Sequence, residues 1–194
     1  ASFGVDFVVG AEDGAASEAA AFGYQMGIGL STSFTGEDSL DVTIDIGDGT
    51  SGALAFDDTS DVLTVDGLTY TFPVGGATVM VGDSTDISAV YTGACAYSSF
   101  TDYMGNCGTG STVGVGGNGV TAAMSYAFDS GFSLAGGVSS TPTSILTEEG
   151  TDTYGIEAAY TADSYGVAVA YSDNESSTFW GVNGMYAFDF ATLS

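Results

Sequence analysis

Residues 154–171, YGIEAAYTADSYGVAVAY, alternate between two kinds of side chain along most of their length. One set is apolar and has a tyrosine at each end. The other set is glycine, alanine, serine and threonine, with one carboxylate at Glu157. A period of two residues is the pattern of a β-strand whose two faces meet different surroundings. The turn at residues 162–164 therefore predicts a hairpin of two such strands.

The composition of these two faces favours a membrane-spanning barrel over a soluble β-sandwich. A sandwich fills its interior with large apolar side chains, which the small and polar face could not do. In a barrel within a lipid bilayer, apolar side chains point outward, aromatic ones gather at the interfaces and polar ones face the lumen. We therefore expect an aromatic girdle formed by Tyr154, Tyr160, Tyr165, Tyr171, Trp180 and Tyr186.

The same alternation recurs in about ten segments, and the connections between them alternate in length. Long connections are predicted at 11–20, 48–61, 83–118 and 139–151, and short ones at 36–39, 73–76, 129–131 and 162–164. This rhythm is typical of outer-membrane barrels, which have short periplasmic turns and longer extracellular loops. The sequence predicts an all-β, antiparallel, up-and-down transmembrane β-barrel domain over residues 1–194. We expect its roughly ten strands to be part of a 16- to 18-strand pore, the size that leaves an aqueous channel, and residues 188–194 to continue the last strand.

The chain has 25 aspartates and glutamates and no lysine, arginine or histidine, so its formal net charge is −25. Its mean hydropathy is nevertheless +0.26, and it contains 11 tyrosines and 12 phenylalanines, which excludes a disordered acidic tail. Without basic residues, nucleic acids are electrostatically unfavourable partners and cations are favourable ones.

An enzyme is not expected, because histidine, lysine and any Cys–His or Ser–His pair are missing. Two pairs of adjacent carboxylates occur, Asp57–Asp58 and Glu148–Glu149, but carboxylates in connections are usually solvated. We predict no catalytic residue, no metal site and no cofactor other than loosely bound Ca²⁺.

The longest connection, residues 83–118, contains both cysteines, Cys95 and Cys107. A disulfide between them would contribute about 3 kcal/mol by loop closure and would fit an oxidising compartment. Two buried free thiols are the alternative. A zinc site is disfavoured, because two thiolates alone rarely hold zinc.

Four stretches resemble cyanobacterial outer-membrane porins: LSTSFTGED at 30–38, LTYTFPVG at 68–75, YGV at 165–167 and STFWGVN at 177–183. The resemblance implies a trimeric porin in the outer membrane of a Gram-negative bacterium, passing small hydrophilic solutes or inorganic ions. Members of that family carry an N-terminal S-layer-homology domain and a helical anchoring segment, and we expect neither of them within residues 1–194. In porins of the general type, the third long loop folds into the barrel and sets the constriction, which would here be residues 83–118.

The family carries arginine and lysine where this chain has Asp41, Thr43, Thr69 and Thr71, so we expect a preference for cations. Rings of acidic side chains favour cations in channels. The candidate pore-lining and constriction residues are Asp83, Asp86, Asp102, Asp41, Asp45, Glu157 and Asp189. Solvated loop carboxylates are the alternative interpretation of these residues.

A second hypothesis is a secreted or cell-surface acidic β protein that binds Ca²⁺, such as an adhesin or surface-layer component. Aspartate and asparagine oxygens suit Ca²⁺. However, residues 102–106 lack the regular Asp spacing of a dedicated calcium loop. A porin needs detergent to stay in solution, whereas an adhesin does not.

Overall fold

The computed structural model describes residues 1–10, 21–48, 59–93, 119–141, 146 and 151–193. They form one antiparallel sheet of eleven strands, paired in the order in which the strands occur in the chain. The strands are β1 (Ser2–Gly10), β2 (Ala21–Thr32), β3 (Ser39–Asp48), β4 (Thr64–Val74), β5 (Ala77–Thr85), β6 (Gly119–Ala127), β7 (Phe132–Thr141), β8 (Thr151–Thr161), β9 (Tyr165–Asp173), β10 (Thr178–Ala187) and β11 (Thr192–Leu193). A 3₁₀ helix of four residues, Ile87–Val90, follows β5. The predicted all-β, up-and-down architecture is confirmed.

In the part of the chain that the structure describes, β1 and β11 are the two edges of the sheet, and no pairing joins them. No helix among the same residues is both long enough and apolar enough to cross a membrane.

The end of the chain differs from the prediction. We expected ten strands, with Phe188 and Phe190 extending the last one, but β10 ends at Ala187. The amide of Phe188 donates a hydrogen bond of 2.7 Å to the carbonyl of Ala191. The chain thereby reverses and adds the short strand β11, which pairs with Tyr186 and Ala187. The alternation of Phe188 and Phe190 continues the period of two, so the sequence pattern alone does not reveal this turn.

A β-bulge lies in β4 at Asp66, next to Gly67. Thr43 is paired with Gly67 and Ile44 with Val65, which leaves Asp66 as the additional residue. Such an insertion bends the strand and increases its local twist.

The turn between β4 and β5 requires glycine. Gly75 and Gly76 have φ angles of +57° and +90°, which glycine adopts without strain.

The sheet has one apolar face along its whole width, which we call the apolar face. Register keeps it continuous: Tyr171 is opposite Trp180 and Val169 is opposite Val182. Many of its side chains are strongly exposed, with 72% for Trp180, 74% for Val182 and 60% for Phe22, and those of β3 are half-buried. The large apolar residues therefore do not converge on a dry centre between two layers.

The opposite side, which we call the polar face, carries small and polar residues. In β8 the two faces alternate in burial as well, because Gly155, Glu157 and Ala159 are buried while Ile156 and Ala158 are exposed. This inverts the soluble pattern, in which the large apolar side chains are the buried ones.

Candidate functional site

The polar face of β1–β4, which we call the open wall, carries carboxylates that are not fully buried. Asp6 is exposed, and Asp41 and Asp45 are half-buried. Gln25 donates its Nε2 hydrogen to Asp6 Oδ2 at 3.4 Å, and Ser39 Oγ donates to Asp41 Oδ2 at 2.6 Å. The open wall therefore offers negative charge that solvent can reach.

The polar face of β5–β9, which we call the covered wall, is mostly buried and made of small residues. Its buried members include Met80, Thr121, Ala123, Glu157, Ala159, Ala168, Ala170 and Ser172. Small side chains leave room for another segment of chain to approach the sheet closely.

Residues 86–93, which we call the inward segment, pack against this covered wall. Ile87 is completely buried and contacts a cluster formed with Met80, Ala123 and Ala170. The partly buried side chains of Val90 and Tyr91 pack against the same cluster. The predicted third long connection therefore begins by folding onto the polar face.

Local features of β5 and β6 direct the chain toward that face. A Cβ atom on Gly82 would lie 2.6 Å from the carbonyl oxygen of Leu68, so no larger residue fits there without a backbone shift. Ser84 has a φ angle of 53°, next to an irregularity in the pairing of β5 with β6. Thr121 Oγ1 donates to the Thr85 carbonyl at 3.0 Å.

The inward segment then starts with a capped 3₁₀ helix. The amide of Ser88 donates to Asp86 Oδ1 at 2.7 Å, and the Ser88 hydroxyl also donates to that oxygen. Aspartate at this position satisfies backbone donors that the helix leaves free. Asp86 thus has a structural role at the beginning of the segment in addition to its charge.

Glu157 lies beneath the end of the inward segment. It is 2% exposed, and its Oε1 accepts a hydrogen bond of 2.5 Å from the amide of Thr92. Its Oε2 and the hydroxyl of Tyr91 are both buried and have no hydrogen-bond partner within the part of the chain that the structure describes. Burial, together with the nearby Glu157 and Asp86, raises the pKa of Tyr91 above its usual value, so the phenol stays neutral.

The structure distributes the predicted pore residues over several places. Asp41, Asp45 and Glu157 lie on the polar face, and Asp86 begins the inward segment. Asp83 lies in β5 opposite Leu68, in register with the apolar positions, so it is not on the polar face. Asp189 lies in the turn after β10 and not in a strand of the wall.

The remaining predicted positions of the long connection, Asp102 and the cysteines Cys95 and Cys107, lie outside the described residues. Among the residues that are described, no three acidic or cysteine side chains come together in a group that could hold a metal ion.

The six predicted girdle residues all lie on the apolar face, in two rows. Tyr160, Tyr165 and Tyr186 are near the short turns, where the rings of Tyr160 and Tyr165 are 5.8 Å apart. Tyr171 and Trp180 are near the long connections, with ring centroids 4.8 Å apart. Tyr154 belongs to this second row, because it lies opposite Asp173 at the same end of the sheet.

Sequence reasoning identified residues 36–39 as a turn but did not find how Asp38 organises it. Its Oδ1 accepts hydrogen bonds from Ser33 Oγ, Phe34 N, Thr35 N and Thr35 Oγ1 at 2.6–3.0 Å. Its Oδ2 accepts from the hydroxyl of Tyr70 at 2.7 Å. The bonds from Ser33, Tyr70 and Thr35 hold the pKa of Asp38 well below its usual range. The Ser-x-Thr-x-x-Asp spacing is a signal that could have pointed to this turn.

Comparison with solved structures identifies the fold. Three mutant forms of the porin of Rhodopseudomonas blastica align with 98% of this chain and 68% of their own, with TM-scores of 0.55, 0.54 and 0.55. Their sequence identities to this chain are 17%, 18% and 17%. No family model matches the sequence, and no curated protein matches it significantly. The sheet therefore has the fold of a bacterial porin.

Proposed function

We propose that this chain forms the wall of an outer-membrane porin that gives passive diffusion to small hydrophilic solutes and inorganic ions. One observation carries the proposal: large apolar side chains are exposed or half-buried across one face of the sheet, while the opposite face holds the carboxylates and the inward segment. Apolar side chains toward lipid and polar ones toward a lumen are the arrangement of barrels in a bilayer. In this proposal the apolar face contacts lipid and the inward segment narrows the pore.

We further propose that the pore favours cations. Asp6, Asp41 and Asp45 are accessible on the open wall, and the chain contains no lysine, arginine or histidine to oppose them. A low-dielectric wall with charges of one sign concentrates ions of the opposite sign. The proposal assigns no catalysis and no cofactor other than Ca²⁺ loosely held by the acidic connections.

The resemblance to cyanobacterial porins supports a homotrimer in the outer membrane of a cyanobacterium. The two longest similar stretches, residues 30–38 and 68–75, meet in the structure where the hydroxyl of Tyr70 donates to Asp38. They therefore form one local unit, although about thirty residues separate them in the sequence.

Planar-bilayer recording of the natural full-length protein tests the proposal. We expect stepwise conductance and, in a salt gradient, a reversal potential of the sign given by cation permeation. Changing Asp41→Asn together with Asp45→Asn should move that potential toward zero, whereas the matched control Asp83→Asn, outside the polar face, should leave it unchanged. Anion preference in the unmodified protein would contradict the cation assignment.

The calcium-binding alternative predicts different behaviour. An adhesin would stay soluble without detergent, show no conductance and lose thermal stability when EDTA is added. A porin is expected to need detergent, to conduct ions and to keep its thermal stability in EDTA. Solubility without detergent, bilayer conductance and the melting temperature with and without EDTA therefore distinguish the two functions.

A further inference from the structure

Glu157 is a buried carboxyl group with an incomplete set of partners. It accepts the Thr92 amide at Oε1, while Oε2 is buried without a partner. The neighbouring residues on the polar face are Ala135 in β7 and Ala170 in β9, which offer no side-chain donor. One amide is therefore the only hydrogen bond to this side chain within the described residues.

No positively charged group of this chain is placed to compensate Glu157. The sequence has no lysine, arginine or histidine. The titratable group that interacts electrostatically with Glu157 is Tyr91, which stays neutral and itself lies near Asp86. The residues opposite Glu157 on the polar face, Ala135 in β7 and Ala170 in β9, add no charge. Burying a charge without a partner is costly, so the seated arrangement favours the uncharged carboxyl group.

We propose that Glu157 is the positioning residue that holds the inward segment on the covered wall, and that it does so as a neutral carboxylic acid. In this form its carbonyl oxygen accepts the Thr92 amide. Its protonated Oε2 carries no charge, so the side chain can stay buried although Oε2 has no hydrogen-bond partner among the described residues. The consequence for conductance rests on the proposed function, but the seating of the segment does not.

The dependence on pH has a definite sign. Seating is complete at pH values where Glu157 keeps its proton. As pH rises and the proton is lost, a buried negative charge without a cationic partner appears on the covered wall, and the inward segment is released from the wall. In the pore this release widens the lumen, so conductance should increase with pH.

Hydrogen exchange on the natural protein in detergent tests the seating directly. Peptides covering residues 86–93 are compared between the wild type, Glu157→Gln and Glu157→Ala at the same pH, from about pH 5 to pH 8.5, so that intrinsic exchange rates cancel. Glutamine keeps both an acceptor and a donor without charge. We expect the wild type to match Glu157→Gln at low pH and to exchange on the order of tenfold faster at high pH, the effect of losing a buried hydrogen bond.

Glu157→Ala should exchange faster at every pH, and Asp41→Asn on the open wall should match the wild type. The proposal is overturned if the wild type and Glu157→Gln agree over the whole pH range, or if Glu157→Gln behaves like Glu157→Ala. Bilayer recording of the same variants separates the two proposals. If the exchange pattern is found but no channel forms, the pore function fails and the role of Glu157 stands. If channels form but the exchange pattern is missing, the role of Glu157 fails and the pore function stands.

Discussion

The open wall and the covered wall share one strand pattern but differ in what lies on their polar faces. Thr43 and Asp45 of the open wall are larger and more accessible than Ala168 and Ala170 of the covered wall, which are almost completely buried. The inward segment packs where the side chains are small. The apolar face is exposed or half-buried in both walls. The difference between the walls therefore concerns the polar face.

Removing the side chain of Ile87 should have the largest effect on the difference between the two walls, because Ile87 is buried where the inward segment packs on the covered wall. Ile87→Ala takes a fully buried side chain out of the cluster with Met80 and Ala123. The seated state should lose about 2–5 kcal/mol, the cost of emptying a core position. Hydrogen exchange of peptides from the segment measures this loss. Ala89→Ser, at an exposed position of the same 3₁₀ helix, is the matched control, and equal exchange in both variants would show that Ile87 does not anchor the segment.

An arginine on the apolar face should affect both walls equally. Val169→Arg in the covered wall and Val42→Arg in the open wall each place a charge on the apolar face, which the proposed function turns toward lipid. Each should destabilise the folded protein in vesicles, lowering its free energy of unfolding by about 2–4 kcal/mol if the residue lies near the bilayer midplane. Urea titration measures these values.

Thr43→Arg, on the polar face next to Val42, provides the control for orientation and should change the folding free energy by less than about 1 kcal/mol. A similar loss for Thr43→Arg and Val42→Arg would contradict the assignment of the two faces.

A larger apolar residue on the polar face should distinguish the two walls. Ala170→Leu inserts three carbon atoms into a position that is 1% exposed, and overpacking of this kind costs about 1–3 kcal/mol. Thr43→Leu also introduces a leucine, at an exposed position of the open wall, where we expect little effect. Folding free energies in vesicles measure both, and equal values would remove the distinction between a covered and an open wall.

The smallest effect should come from the turn that holds β2, β3 and β4 of the open wall together. Asp38→Asn removes a carboxylate that accepts five hydrogen bonds. Because the folded pKa of Asp38 is lowered, its stabilisation is complete above the ordinary aspartate pKa of about 3.9 and declines as pH falls below that value.

The thermal midpoint of Asp38→Asn should therefore lie below that of the wild type at pH 7, and the gap should narrow in acid. Tyr70→Phe, which removes only the bond to Oδ2, should lower the midpoint less. A gap that stays constant down to pH 3 would mean that the ionised carboxylate is not what stabilises the turn.

Features that repeat along the chain could be predicted from the sequence, and single departures from the repeat could not. The place of Trp180 on the apolar face follows from the local alternation, whereas the bulge at Asp66 interrupts that alternation. The sequence predicts that Asp83 lies in the long connection, because the alternation ends near Ser84, but the structure places it within β5. Phe188 and Asp189 look like a strand, because a turn that preserves alternation leaves no trace in the sequence.

The sequence by itself determined the period, the alternating lengths of the connections and the excess of negative charge, because each is a property of neighbouring residues. Only the tertiary structure decided that Ile87 is seated on Met80, Ala123 and Ala170, and that Thr92 meets Glu157 across 65 residues. Contacts of that kind depend on which strands become neighbours and on how much space small side chains leave between them. A pattern with a period of two residues shows neither which strands are neighbours nor how much space lies between their side chains.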